Sequence, residues 1–164
     1  MEHKKNNAKF IKWIGQCHEL FLCGKDNSKR YLLKQIDDFD TGGSFELVEY
    51  FCGKSFMLDK DQRTLDLIMD SRKWGAVHLG INSSDCVHHP DKYFEYMKSF
   101  ADKMERCKNY CKISSNDKWD TLLADWELLV THLYKYEEYV RNNDYLTFDD
   151  YLEKMGVDID YGIL

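Results

Sequence analysis

Apolar residues recur along this chain at spacings of three and four, the period of a helix that buries one stripe. The pattern is clearest after Pro90, a residue favoured in the first turn of a helix. From there Tyr93, Met97, Phe100, Met104, Cys107 and Cys111 alternate by four and three. DKWDTLLADWELLVTHLYKYEEYVRNN repeats the pattern with Trp119, Leu122, Leu123, Trp126, Leu129, Val130 and Leu133. Two long helices joined by the short ISSND form an antiparallel hairpin.

Upstream, NAKFIKWIGQCHELFLCG places Phe10, Trp13, Ile14, Cys17 and Phe21 on one inward stripe ending at Gly24. NSKRYLLKQIDDF offers Ser28 as N-cap with Tyr31, Leu32 and Ile36 inward. FELVEYF, capped by Ser44, stops at Gly53; DQRTLDLIMDSRKW is capped by Asp61 and turns Leu65, Ile68 and Met69 inward. In LTFDDYLEKMGV, Thr147 with Asp150 three residues on is a capping-box variant, and Gly156 terminates the helix. KSFML and AVHLGI are too short for periodicity to decide, and pair as a minor two-stranded β element if extended. The expected class is all-α: one domain over residues 1–164, a bundle of six to seven helices centred on the 90–141 hairpin.

Composition agrees with a packed core: 43% of residues are hydrophobic and 15% aromatic. The single proline leaves no linker signature, and no apolar run approaches bilayer length. The N-terminal MEHKKNNAKF lacks the apolar region of a secretory signal. Six cysteines without such a signal suit a reducing compartment, so a cytoplasmic location with free thiols or metal-bound thiolates is expected. Net charge is −6, unevenly placed. Residues 1–35 hold eight Lys/Arg against three acids, whereas residues 116–164 hold four against twelve. No uniformly basic footprint exists, so neither direct nucleic-acid binding nor membrane binding is expected.

Metal chemistry has two candidate sites. HLGINSSDCVHHP supplies His78, Cys86, His88 and His89, a thiolate and imidazoles suited to a structural zinc ion. Adjacent His88 and His89 rarely ligate one ion together, so Cys52 or Cys23 is a further donor candidate. Cys107 and Cys111 share a helix face, but that face is the apolar stripe, which favours packing. Eighteen residues of continuous helix, about 27 Å, also separate Cys107 from His89. The second site, DFDTGGSFELVEY, resembles one EF-hand loop, with Asp38, Asp40, Ser44 and Glu49 at ligand positions and a glycine at the turn. A glycine also stands at its fifth position, Phe45 replaces the usual aliphatic residue, and no partner loop follows; these defects disfavour calcium.

Of enzyme motifs, G-x-G-x-x-G, the P-loop, G-x-S-x-G and H-E-x-x-H are all absent. Arg72 and His78 fall within the loose spacing of HEPN-type ribonucleases, which makes an RNA-cleaving or metal-dependent hydrolase the alternative; Gly75 between them is expected to break the helix. The leading expectation is a non-enzymatic protein that acts by contact. Its candidate partner surface is acidic and tyrosine-rich: Asp144, Asp149, Asp150, Glu153, Asp158 and Asp160 with Tyr145 and Tyr151, while Tyr134, Tyr136, Tyr139 and Tyr161 are further aromatic anchors.

In size, acidity and absence of motifs the chain resembles the inhibitors that phages and mobile elements direct against host defence, anti-CRISPR proteins among them. That resemblance implies action in the host-cell cytoplasm against a type II CRISPR effector nuclease. The acidic residues of 117–160 would meet its basic nucleic-acid surface, or a domain needed for DNA loading, and any zinc would be structural.

Overall fold

A computed structural model describes residues 2–16, 44–81, 90–115, 117–143 and 146–158. Six helices account for most of them: α1 (Glu2–Gln16), α2 (Ser44–Leu58), α3 (Gln62–Ile81), α4 (Pro90–Ser114), α5 (Asp120–Asn142) and α6 (Phe148–Lys154). No strand occurs among the described residues, and the protein is all-α. The chain divides into two compact units, Met1–Arg72 and Lys73–Leu164. The division falls inside α3. The helix expected over NSKRYLLKQIDDF, together with Cys17, His18, Phe21 and Cys23, lies outside the described residues.

In the first unit α1 packs on α2, and the contact is made by small groups. Ala8 is buried, and the buried Ser55 hydroxyl donates to the Ala8 carbonyl at 2.8 Å. This approach overturns the expected α1 stripe, because Phe10 and Trp13 stand 62% and 54% exposed. Two bulky rings cannot occupy a seam where helix backbones come this close. Ile14 is half-buried.

The expected β pair is also corrected. α2 runs through Gly53 to Leu58, so KSFML is helical; α3 runs through Gly75 to Ile81, so AVHLGI is helical. A glycine inside a helix costs only about 1 kcal/mol relative to alanine. The stripe of Val48, Cys52, Ser55 and Phe56 continues across Gly53 with helical spacing and is buried throughout. Each large apolar side chain so buried contributes about 1.5–3 kcal/mol, which outweighs the glycine.

α3 begins as expected. The Asp61 carboxylate accepts from the Thr64 backbone N–H at 3.1 Å and from its hydroxyl at 2.9 Å, capping the first turn. Leu65, Ile68 and Met69 are fully buried. Lys12 of α1 reaches the same carboxylate at 2.6 Å. Burial alone would raise the pKa of Asp61, but the Lys12 and Thr64 contacts outweigh it and hold the carboxyl below its usual range.

The second unit contains the expected hairpin. Tyr93 and Phe94, near the start of α4, meet Tyr136, near the end of α5; Phe100 meets Trp126 further along. The helices are therefore antiparallel. Tyr93, Met97, Phe100, Met104, Cys107 and Cys111 are all buried, as are Trp119, Leu123, Trp126, Leu129 and Leu133. At the turn Ser115 takes a φ of 53° and its N–H reaches the Lys112 carbonyl, closing α4.

α6 is stopped at both ends by the expected residues. The Thr147 side chain accepts from the Asp150 N–H at 3.1 Å. At the other end Gly156, at a φ of 65°, donates to the Glu153 carbonyl, and Val157 donates to that of Leu152. This pair of bonds is a Schellman closure, which needs the left-handed conformation that glycine adopts freely.

Candidate functional site

α6 is too short to persist alone, so its position depends on what it buries. Phe148, Tyr151 and Leu152 point inward, while Asp149, Asp150, Glu153 and Lys154 point outward. Tyr136 of α5 is at the centre of the contact. It is fully buried, its ring lies 5.2 Å from Phe148 and 5.4 Å from Tyr151, and its hydroxyl donates to the Leu146 carbonyl at 2.7 Å. Tyr139 adds a second ring 5.4 Å from Tyr151, and Lys154 donates to the Tyr139 hydroxyl at 2.8 Å.

The aromatic lock presents carboxylates outward. Asp149, Asp150, Glu153 and, just beyond the helix, Asp158 are exposed, and Glu138 is exposed on α5. Asp149 and Asp150 occupy the first turn of α6, where the helix dipole favours negative charge. On α5, Tyr134 is half exposed, between Glu127 and Glu138 along one helix face. The site is thus an acidic surface on a fixed aromatic base, and the exposed Tyr134 stands on a different face of α5 from His132, Tyr136 and Tyr139, which meet α6.

Of the tyrosines expected as anchors, Tyr136 and Tyr151 are corrected: both are buried in the lock rather than exposed at the surface. Helix phase carries the signal that separates them. Trp126, Leu129 and Leu133 set the inward face of α5; Tyr136 continues it at +3 and Tyr134 does not. Asp144, Tyr145, Asp160 and Tyr161 lie outside the described residues.

His132 is 8% exposed and lies 6.2 Å from the Tyr151 ring. Burial first, and then the Lys135 ammonium, push its pKa below the ordinary histidine value. An unfolded histidine takes up its proton near pH 6.5, while the folded one resists until lower pH. Stability is therefore complete above about pH 6.5 and falls as pH drops from there through the lowered folded pKa. Thermal melts between about pH 7.5 and 5 should show this loss, and His132→Phe should reduce it. Identical pH profiles for the two proteins would show that His132 is not its source.

The proposed metal donors are only partly within view. His78 lies in the last turns of α3, while Cys86, His88 and His89 lie outside the described residues. Cys52 is fully buried in the first unit, where burial, only partly offset by Lys12, pushes its thiol up to about 11. Cys107 and Cys111 are core residues. The Cys111 thiol is likewise raised to about 11, by burial and then by Asp120. Protonated thiols of this kind are poor ligands and poor nucleophiles. α4 is continuous from Pro90, so Cys107 is about 25 Å of helix away from its start. Among the described residues no group of three or more His, Cys, Asp or Glu is arranged to hold a metal.

In the EF-hand-like stretch, Asp38 and Asp40 lie outside the described residues, and Ser44 opens α2. Glu49 is a buried helical residue whose carboxylate pairs with Arg72. The same pair removes Arg72 from solvent, and α3 does not break at Gly75 as expected between Arg72 and His78. An RNA phosphate cannot reach Arg72 without first displacing Glu49.

A cleft of about 390 Å³ opens at the turn between α4 and α5. Its rim mixes Lys108 and Lys112 with Asp117, Asp120 and Glu127, and Lys108 pairs with Glu127. That alternation presents no field of one sign to a charged ligand. No helix among the described residues is long and apolar enough to cross a membrane. Compared with known proteins, the chain matches no family model, no curated protein and no solved structure.

Proposed function

We propose that this protein acts without catalysis, by docking the acidic α5–α6 surface on a basic, nucleic-acid-handling protein. The observation that carries the reading is the locked α6, which holds Asp149, Asp150 and Glu153 outward on a base of buried rings. Fixing the carboxylates in advance lowers the ordering cost of association, and their charge speeds encounter with a basic surface. Tyr134, exposed on α5 one turn from Glu138, supplies an aromatic contact on a neighbouring face. The resemblance to anti-CRISPR proteins makes a type II CRISPR effector nuclease the specific partner, blocked where it loads nucleic acid. A zinc ion held by His78, Cys86, His88 and His89 is structural in this reading.

The test is co-elution with such an effector together with a DNA-cleavage assay. The wild-type chain should co-elute and inhibit, with binding weakened by added salt. Asp150→Asn, Glu153→Gln and Asp158→Asn combined with Tyr134→Ala should weaken binding about tenfold or more while leaving the fold intact. No co-elution, or equal inhibition by the substituted protein, removes the proposal.

A further inference from the structure

The first unit carries a surface of opposite character. On α1, four lysines stand against one glutamate, reversing the sign of the chain's net charge. Lys5, Asn6, Lys9, Phe10 and Trp13 are exposed; helical spacing puts Asn6, Phe10 and Trp13 on the side away from Ala8, the residue buried against α2, with Lys9 and, one turn before it, Lys5 along the edge of that face. Phe10 and Trp13 stack on each other with ring centroids 6.3 Å apart and planes 25° apart. Lys5, Lys9 and Trp13 follow one another at i, i+4 and i+8, about 6 Å per step.

Exposing two large rings in water is unfavourable, and the α1–α2 seam leaves them no place inside. Lysines beside stacked aromatic rings match single-stranded nucleic acid: the rings take unpaired bases on their faces and the ammonium groups take the phosphates. We propose that this face of α1 binds single-stranded nucleic acid without sequence preference, a local basic patch acting against the expectation that the acidic chain as a whole sets. A duplex hides its base faces and leaves the rings unused. A bilayer surface needs a broad apolar face; here only two rings stand out, interleaved with Lys9 and Asn6. The inference does not depend on the acidic surface of the other unit, and its test uses no effector protein.

The full-length chain is titrated into a labelled oligothymidylate of about 20 nucleotides at low salt, read by anisotropy and by tryptophan fluorescence. Binding should appear with quenched fluorescence, and duplex DNA of equal length should bind more weakly. Trp13→Ala should weaken binding about tenfold, and Trp13→Phe should restore most of it. Lys5→Glu with Lys9→Glu should weaken it further and lower the salt slope by about 1.4. Circular dichroism confirms that each variant is folded. Three results overturn the proposal. One is no oligonucleotide binding by folded wild-type protein. Another is equal, Trp13-dependent binding to phosphatidylserine vesicles or polyglutamate, which assigns the face to a membrane or a protein. The third is a Trp13→Ala variant that melts earlier yet binds unchanged, which makes the ring part of the protein's own packing.

Discussion

Arg72→Ala is expected to lower the unfolding free energy by about 3–5 kcal/mol, the largest loss of any single polar substitution in the first unit. Arg72 is 2% exposed and pairs with Glu49, itself buried, across α2 and α3. Removing the guanidinium strands a carboxylate away from water, and that uncompensated charge dominates the cost. Glu49→Leu combined with Arg72→Met should recover most of the loss, because neither charge is then buried. Urea unfolding of the two single variants and the double variant measures this directly. A loss below about 1 kcal/mol for Arg72→Ala would sink the account, and so would a double variant no more stable than the singles. If Arg72→Ala does not fold, Glu49→Gln, which keeps the shape and a hydrogen-bond acceptor, provides a milder series.

The second large effect is expected at Tyr136. Tyr136→Ala should cost about 3–5 kcal/mol, because the ring is fully buried between α4, α5 and α6. Tyr136→Phe should cost only about 1 kcal/mol, the share of the hydrogen bond to Leu146. The two substitutions have different consequences for function. With the ring gone, α6 loses its main contact, so its amides should exchange faster and the proposed docking of the acidic surface should weaken. With only the hydroxyl gone, α6 stays seated and binding stays close to wild type. Hydrogen exchange of residues 148–154 in both variants is the measurement. Unchanged protection in Tyr136→Ala would show that α6 is held by something other than this ring.

Much of the fold was legible because the responsible forces act within a few residues. The stripe from Tyr93 to Cys111 and that from Trp119 to Leu133 both report a period of 3.6, and both are buried except for Leu122 and Val130, which are half-buried. Asp61, Thr147 and Gly156 were readable as start and stop signals because each acts on backbone groups three to five positions away. KSFML and AVHLGI were misread for the opposite reason. A glycine's local cost is visible in sequence, while the burial that offsets it at Phe56 and Ala76 comes from other elements.

The candidate surface divides in the same way. The excess of carboxylates after residue 116 is a property of composition, and their outward direction on α6 follows from Phe148, Tyr151 and Leu152 facing in. Sequence alone determined the helical class, the long hairpin, the caps of α3 and α6, and the segregation of charge, since each depends on local spacing or on counting. Tertiary structure alone decided that Glu49 and Arg72 neutralise each other, that Tyr136 and Tyr151 form a base while Tyr134 faces water, and that Phe10 and Trp13 stand outside a seam closed by Ala8 and Ser55. Those outcomes depend on which residue, distant in the chain, arrives opposite, and on how closely two backbones approach.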